Sequence, residues 1–107
     1  MFASSALLLH PKVAQLGPPY AHVADQLFEA ASSIGANLEE GQVALSRRDM
    51  AAKYAIALRE ARECLHWLRI LMRARVLLED TRPMATEANE FVAMLTTAVK
   101  KLRARPA

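Results

Sequence analysis

The sequence predicts an all-α domain, and three observations carry that prediction. Ala (21) and Leu (15) supply a third of the 107 residues, whereas Ile (3), Val (6) and Thr (4) are scarce. That balance favours helix over sheet. Only three glycines interrupt the chain. Apolar residues also recur at three- and four-residue intervals through its later segments, the period of a helix face. The length fits one domain over residues 1–107, able to bury roughly two-thirds of its unfolded surface. Hydrophobic residues make up 53%, above the usual share of about 45–50%. The excess has to enter the core or a subunit interface.

Residues 1–18 form the weakest region. Leu7, Leu8, Leu9, Val13 and Leu16 are apolar, but Pro11 interrupts them and Gly17-Pro18-Pro19 ends the segment. One short or broken helix is expected, since Pro is tolerated only in a first turn. A second helix is expected from about Pro19 to about Glu40. Val23, Leu27, Ala31, Ile34 and Leu38 make its stripe, and Gly41 is placed to terminate it. The same segment is crowded with small residues from Ala30 to Ala36, which would let a neighbouring backbone approach.

Ser46 caps the third helix, with Asp49 in its first turn. No Gly or Pro follows before about Leu78, giving a helix roughly 45 Å long. Asp80 or Thr81 caps the fourth, with Pro83 in its first turn. Met84, Ala88, Phe91, Leu95, Ala98 and Leu102 form its stripe. Residues 101–107 read as a frayed basic tail, with charges that suit a helix C-terminus.

Several classes are excluded. The longest uncharged stretches are too short or too broken to span a bilayer, and residues 1–9 lack a basic n-region and a cleavage site. The expectation is a cytoplasmic protein with no membrane partner. One cysteine, Cys64, allows no intrachain disulfide and no thiolate cluster. Charge is uneven: residues 1–46 hold one basic and four acidic residues, net −3, and residues 47–107 hold thirteen basic and seven acidic, net +6. The C-terminal half therefore suits a polyanion.

On a wheel at 100° per residue the third helix divides into three sectors. Tyr54, Ala57, Ala61, Leu65, Leu68 and Met72 lie within about 80° of one another, the expected core face. A second sector holds Ile56, Trp67, Ile70 and Ala74, with Glu63 among them. A third, again about 80° wide, holds Arg48, Arg59, Arg62, His66, Arg69 and Arg73 with no acid between them. A surface helix needs one apolar face. The second sector points to an intersubunit contact built on Ile56, Glu63, Trp67 and Ile70, since aromatic residues are enriched at interfaces. The basic sector points to phosphate contacts on RNA or DNA.

Residues Gln26-Leu27, Ser33-Ile34-Gly35-Ala36-Asn37-Leu38-Glu39-Glu40-Gly41, Ser46-Arg47-Arg48-Asp49-Met50, Ile56-Ala57, Glu60-Ala61-Arg62-Glu63 and Trp67-Leu68 carry a pattern. It resembles the four helix bundle protein family, whose best-known members are encoded in intervening sequences of bacterial large-subunit rRNA genes. The match covers residues 26–69 and departs at Glu29, Leu38, Met50 and His66. The resemblance implies an antiparallel up-down four-helix bundle with no established enzyme activity. It is also similar to the accessory variability determinants of diversity-generating retroelements. That likeness implies a homopentamer, with nucleic acid or a protein such as a reverse transcriptase as partner.

Three further groups have structural readings. Asn37, Glu40 and Gly41 are read as a polar motif that fixes register and satisfies the turn before the third helix. Glu63 and His66 share the Glu-x-x-His spacing of di-iron bundles, but that chemistry needs a second such pair and two more inward glutamates. Cys64 reads as a small apolar residue. No catalytic residue, metal or cofactor is expected.

Overall fold

Ser46 starts the longest helix by accepting the Asp49 backbone N–H at 3.0 Å through its hydroxyl, as the capping pattern requires. The computed structural model describes residues 2–104, which form α1 (Phe2–Ala14), α2 (Pro18–Gln42), α3 (Arg47–Arg73) and α4 (Leu78–Arg103). They run up and down in a rod measuring 53 × 20 × 20 Å. The long helix α3 packs between α2 and α4, while α1 lies on α2 and touches α4 more lightly.

Helix α1 is short, as expected, but unbroken through Pro11. Phe2, Ala6, Leu9 and Val13 are buried at helical spacing, so packing offsets the hydrogen bond that a proline removes. The side chains of Phe2 and Phe91 meet edge to face at 5.7 Å. Lys12 pairs with Asp80 at 3.6 Å and His10 with Asp25 at 2.6 Å. The Phe2–Phe91 and Lys12–Asp80 contacts place α1 antiparallel to the first half of α4, and His10–Asp25 ties it to α2. Its thirteen residues reach only about 20 Å. Beyond them, the far half of the rod rests on α2, α3 and α4.

The termini correct three expectations. Helix α3 stops at Arg73, five residues before Leu78, although no Gly or Pro marks the place. The Val76 N–H donates to the Leu71 carbonyl and the Arg75 N–H to the Met72 carbonyl. That is the Schellman pattern, with Arg75 at φ 57° where glycine usually stands and Val76 buried behind it. Leu77, not Asp80 or Thr81, precedes α4. Thr81 is instead fully buried, and its hydroxyl donates to the Val76 and Leu77 carbonyls. At the other end, residues 101–103 remain helical. The Arg47 guanidinium donates to the Lys101 and Leu102 carbonyls at 2.6 and 2.9 Å, which holds that end. The rest of the expected tail, residues 105–107, lies outside the described residues.

Gly41 does not terminate α2, which runs one residue past it. It is buried where α2 meets α3, and a Cβ there would sit 2.5 Å from Tyr54 Cε1 and 2.6 Å from Cδ1. Close approach therefore explains this glycine. Of the small residues on α2, Ala30 and Ala31 are buried beside Ile34, whereas Gly35 and Ala36 are exposed beyond the reach of α1. The core face of α3 is wider than the wheel suggested. Ala57, Ala61, Leu65 and Leu68 are buried, Tyr54 and Met72 are half-buried at its edges, and Cys64 and Leu71 join on the α2 side. Neighbours on both flanks broaden the arc.

The two α2 glycines separate these effects. Gly41→Ala should lose about 1–2 kcal/mol through overpacking against Tyr54. Gly35→Ala, with nothing within 4 Å of its Cβ, should gain about 0.5–1 kcal/mol from helix propensity alone. Urea denaturation midpoints of the two variants check both signs.

Candidate nucleic-acid interface

All six basic-sector residues of α3, Arg48, Arg59, Arg62, His66, Arg69 and Arg73, are exposed. Arg59 is exposed and lies 3.6 Å from the carboxylate of Glu60, whose side chain is mostly covered. His66 meets the Trp67 ring edge to face at 5.0 Å. Arg48, Arg62, Arg69 and Arg73 have no ion pair or hydrogen-bond partner among the described residues.

The structure brings a second row beside the first. Arg82, Asn89, Lys100 and Arg103 of α4 are exposed. Their spacings of seven, eleven and three put them on one side of that helix. Arg69 and Arg82 line one groove between α3 and α4, together with Thr86, Asn89, Leu65, Met72 and Ala85. At the far end Arg48 and Arg103 line another, with Arg47. By the same spacing the acids of these helices fall elsewhere. Glu79, Asp80, Glu87 and Glu90 take the other flank of α4, where Asp80 meets Lys12 of α1. Asp49, Glu60 and Glu63 lie toward α2 on α3. The acidic residues of α2, namely Asp25, Glu29, Glu39 and Glu40, are all exposed. The bundle is thus basic along the α3–α4 face and acidic along α2.

Arg82 and the α4 side of the groove were not among the expected site residues, and Arg103 was expected in a frayed tail. The helical spacing that would align them was there. Which face of α4 meets which face of α3 is a tertiary fact.

In the second sector, Ile56 and Trp67 are half-buried, Glu63 is partly covered, and Ile70 is 37% exposed. The Trp67 indole N–H donates to Glu63 Oε1 at 3.4 Å. Its ring is met edge to face by His22 of α2 at 5.9 Å. Trp67 therefore leans over the α2–α3 seam, with one flank left to solvent. Glu63 is engaged there with the indole, away from the core. Among the described residues no three His, Cys, Asp or Glu side chains gather as a metal site.

The polar motif of α2 divides. The Asn37 amide donates to the Ser33 carbonyl at 2.9 Å and to its hydroxyl at 3.1 Å, so it bonds back along its own helix and leaves the following turn alone. Glu40 reaches across to Lys53 at 2.6 Å, tying α2 to α3 beside Gly41. Cys64 is fully buried with its thiol directed toward the Leu27 carbonyl at 4.0 Å. Burial, reinforced by Glu60 and Glu63, pushes its pKa up from 9.0 to about 12.

Among the described residues no helix is long and apolar enough to cross a membrane. The class these features define is a small all-α bundle whose distinctive chemistry lies on outer helix faces. More particularly, the chain belongs to the 23S rRNA-intervening sequence protein family, whose sequence profile matches residues 20–97, from the first turn of α2 to the last turns of α4. It is similar to a protein with unknown function from the S23 ribosomal protein family of Bacteroides thetaiotaomicron. Identity is 29%, 92% of each chain is covered and the TM-score is 0.82. No curated protein matches.

A thiol held neutral and enclosed should be unreactive. At pH 8 iodoacetamide should leave Cys64 unmodified in the native protein and alkylate it fully in urea. Rapid native labelling would show that the α2–α3 seam opens.

Proposed function

We propose that this chain is a non-enzymatic homo-oligomeric bundle that binds RNA or DNA through the basic face of α3. The supporting observation is the run of exposed, acid-free positive charge along α3, most of it without an ion-pair partner. Guanidinium groups in such a row neutralise phosphates and release counterions without reading sequence. Membership of a family named for rRNA intervening sequences agrees with a nucleic-acid context in the cytoplasm. The reading assigns no nucleophile, general base or cofactor.

Assembly is the second part of this reading. Five copies is the number implied by the likeness to the retroelement determinants. The half-covered patch of Ile56, Glu63, Trp67 and Ile70 is the surface assigned to the contact, because symmetric closure would bury what one chain leaves open. Repeating the basic row in each subunit would raise its hold on long strands by effective concentration.

Filter binding tests the interface. Arg62, Arg69 and Arg73 replaced together by Glu should abolish binding to long RNA or DNA with helicity unchanged, because all three are exposed. Replacing the tail's basic residues Lys100, Lys101, Arg103 and Arg105 together by Ala should weaken binding less than the α3 replacement does, and these substitutions spare the carbonyls that Arg47 holds. The reverse pattern would move the site to the tail. Wild-type protein that fails to bind at low salt would leave a scaffold for a protein such as a reverse transcriptase as the better reading.

Light scattering tests assembly. The wild type should have five times the chain mass at micromolar concentration, and Trp67→Ala should dissociate it more than it lowers the melting temperature of each bundle. An intact oligomer with a much lower melting temperature would place Trp67 inside one bundle, where truncation costs roughly 3–5 kcal/mol.

A further inference from the structure

The two ends of the α3–α4 face differ. At the Arg47 end one guanidinium is already committed to the backbone of α4. The groove near the other end is built differently. Arg69 stands on its α3 rim and Arg82 on its α4 rim, and neither has an ion-pair or hydrogen-bond partner for its guanidinium among the described residues. Asn89 is exposed beside them, its amide likewise without a partner. The Thr86 hydroxyl donates to the Arg82 carbonyl at 3.2 Å, which leaves its oxygen able to accept. Leu65, Met72 and Ala85 form an apolar floor. The space is about 430 Å³ and open to solvent, within the range of small-ligand clefts.

Such a groove offers more than a charged helix face does. Two arginines on opposite rims suit the phosphates on either side of one nucleotide. A floor containing a polarizable thioether suits the face of a base. An amide that both donates and accepts suits a base edge. The face of a base is available only where the base is unpaired and unstacked, because a duplex presents phosphates and groove edges instead. An acidic protein segment would use the two arginines but would have no use for the floor or for Asn89.

We infer that the groove of Arg69, Arg82 and Asn89 over Met72 is a subsite for one unpaired nucleotide, so that the protein prefers single-stranded to duplex nucleic acid. The inference rests on the reading of the α3 face as a nucleic-acid interface and adds a substrate class to it. Arg82 and Asn89 belong to α4 and lie outside the basic row of α3, so the two readings are separable by mutation.

Fluorescence anisotropy of a labelled 20-nucleotide RNA, alone and annealed to its complement, at one fixed salt concentration is the test. Single strand should bind about fivefold or more tightly than duplex, a margin near 1 kcal/mol. Asn89→Ala should remove most of that margin, weakening the single strand while leaving the duplex within about twofold. Arg82→Ala should weaken both. Both positions are exposed, and circular dichroism verifies that the variants stay helical. As an independent arm, a strand carrying 4-thiouridine should crosslink to a peptide containing Met72. Equal affinity for the two forms, or an Asn89→Ala protein that keeps the full preference, overturns the subsite. The α3 interface would then still stand if the Arg62, Arg69 and Arg73 replacement abolished binding. Absence of all binding overturns both. Competition by polyglutamate with no response to Asn89→Ala assigns the groove to an acidic protein instead.

Discussion

The rest of the structure depends on α3 being packed between two helices along its length. An amphipathic helix on a surface divides its circumference once, into buried and solvated sides. Flanked by α2 and α4, α3 gives a wider arc to the core, which is why Cys64 and Leu71 are buried beside Ala57, Ala61 and Leu68. What remains facing outward is narrow. It is divided between a patch against the α2 seam, where Trp67 sits with Glu63 and His22, and the basic row against α4. Charge on that second arc has no neighbouring helix to neutralise it, because α4 meets it with its own basic side.

The same packing separates the charges of the whole molecule. Acids on α4 lie toward α1, where Asp80 finds Lys12. The outer face of α2 carries four exposed carboxylates, and the α3–α4 face carries none. A bundle stabilised only by its core has no need of such segregation. Interspersed signs would serve solubility equally well and would weaken long-range repulsion within the row. Across the α2–α3 seam, Gly41 admits the Tyr54 ring and Glu40 reaches Lys53.

Much of this was legible in the residue pattern, and the failures have identifiable causes. The 3.6-residue period located α2, α3 and α4 and the exposed basic sector, because periodicity reports which side of a helix is apolar. The Ser46 cap was readable because its chemistry is local. The end of α3 was not, since the chain turns at Arg75 and Leu77 in left-handed conformations without glycine, held by backbone bonds and by the burial of Val76 and Thr81. Pro11 suggested a break that packing of Phe2, Leu9 and Val13 overrides. Asn37 looked like a turn-satisfying amide and bonds within its own helix instead. The groove shared by Arg69 and Arg82 needed the register of α3 on α4, which no single-helix wheel contains.

The central claim is that the α3–α4 face acts through uncompensated positive charge on phosphates. Its most direct measurement is the salt dependence of binding for a single-stranded RNA. Each phosphate neutralised contributes about −0.7 to the slope of log K against log salt on a single strand. Six to eight contacts along the two helices therefore predict a slope between about −4 and −6. A slope near zero, with affinity retained at high salt, would contradict the account and place the binding energy in apolar or hydrogen-bonded contacts elsewhere.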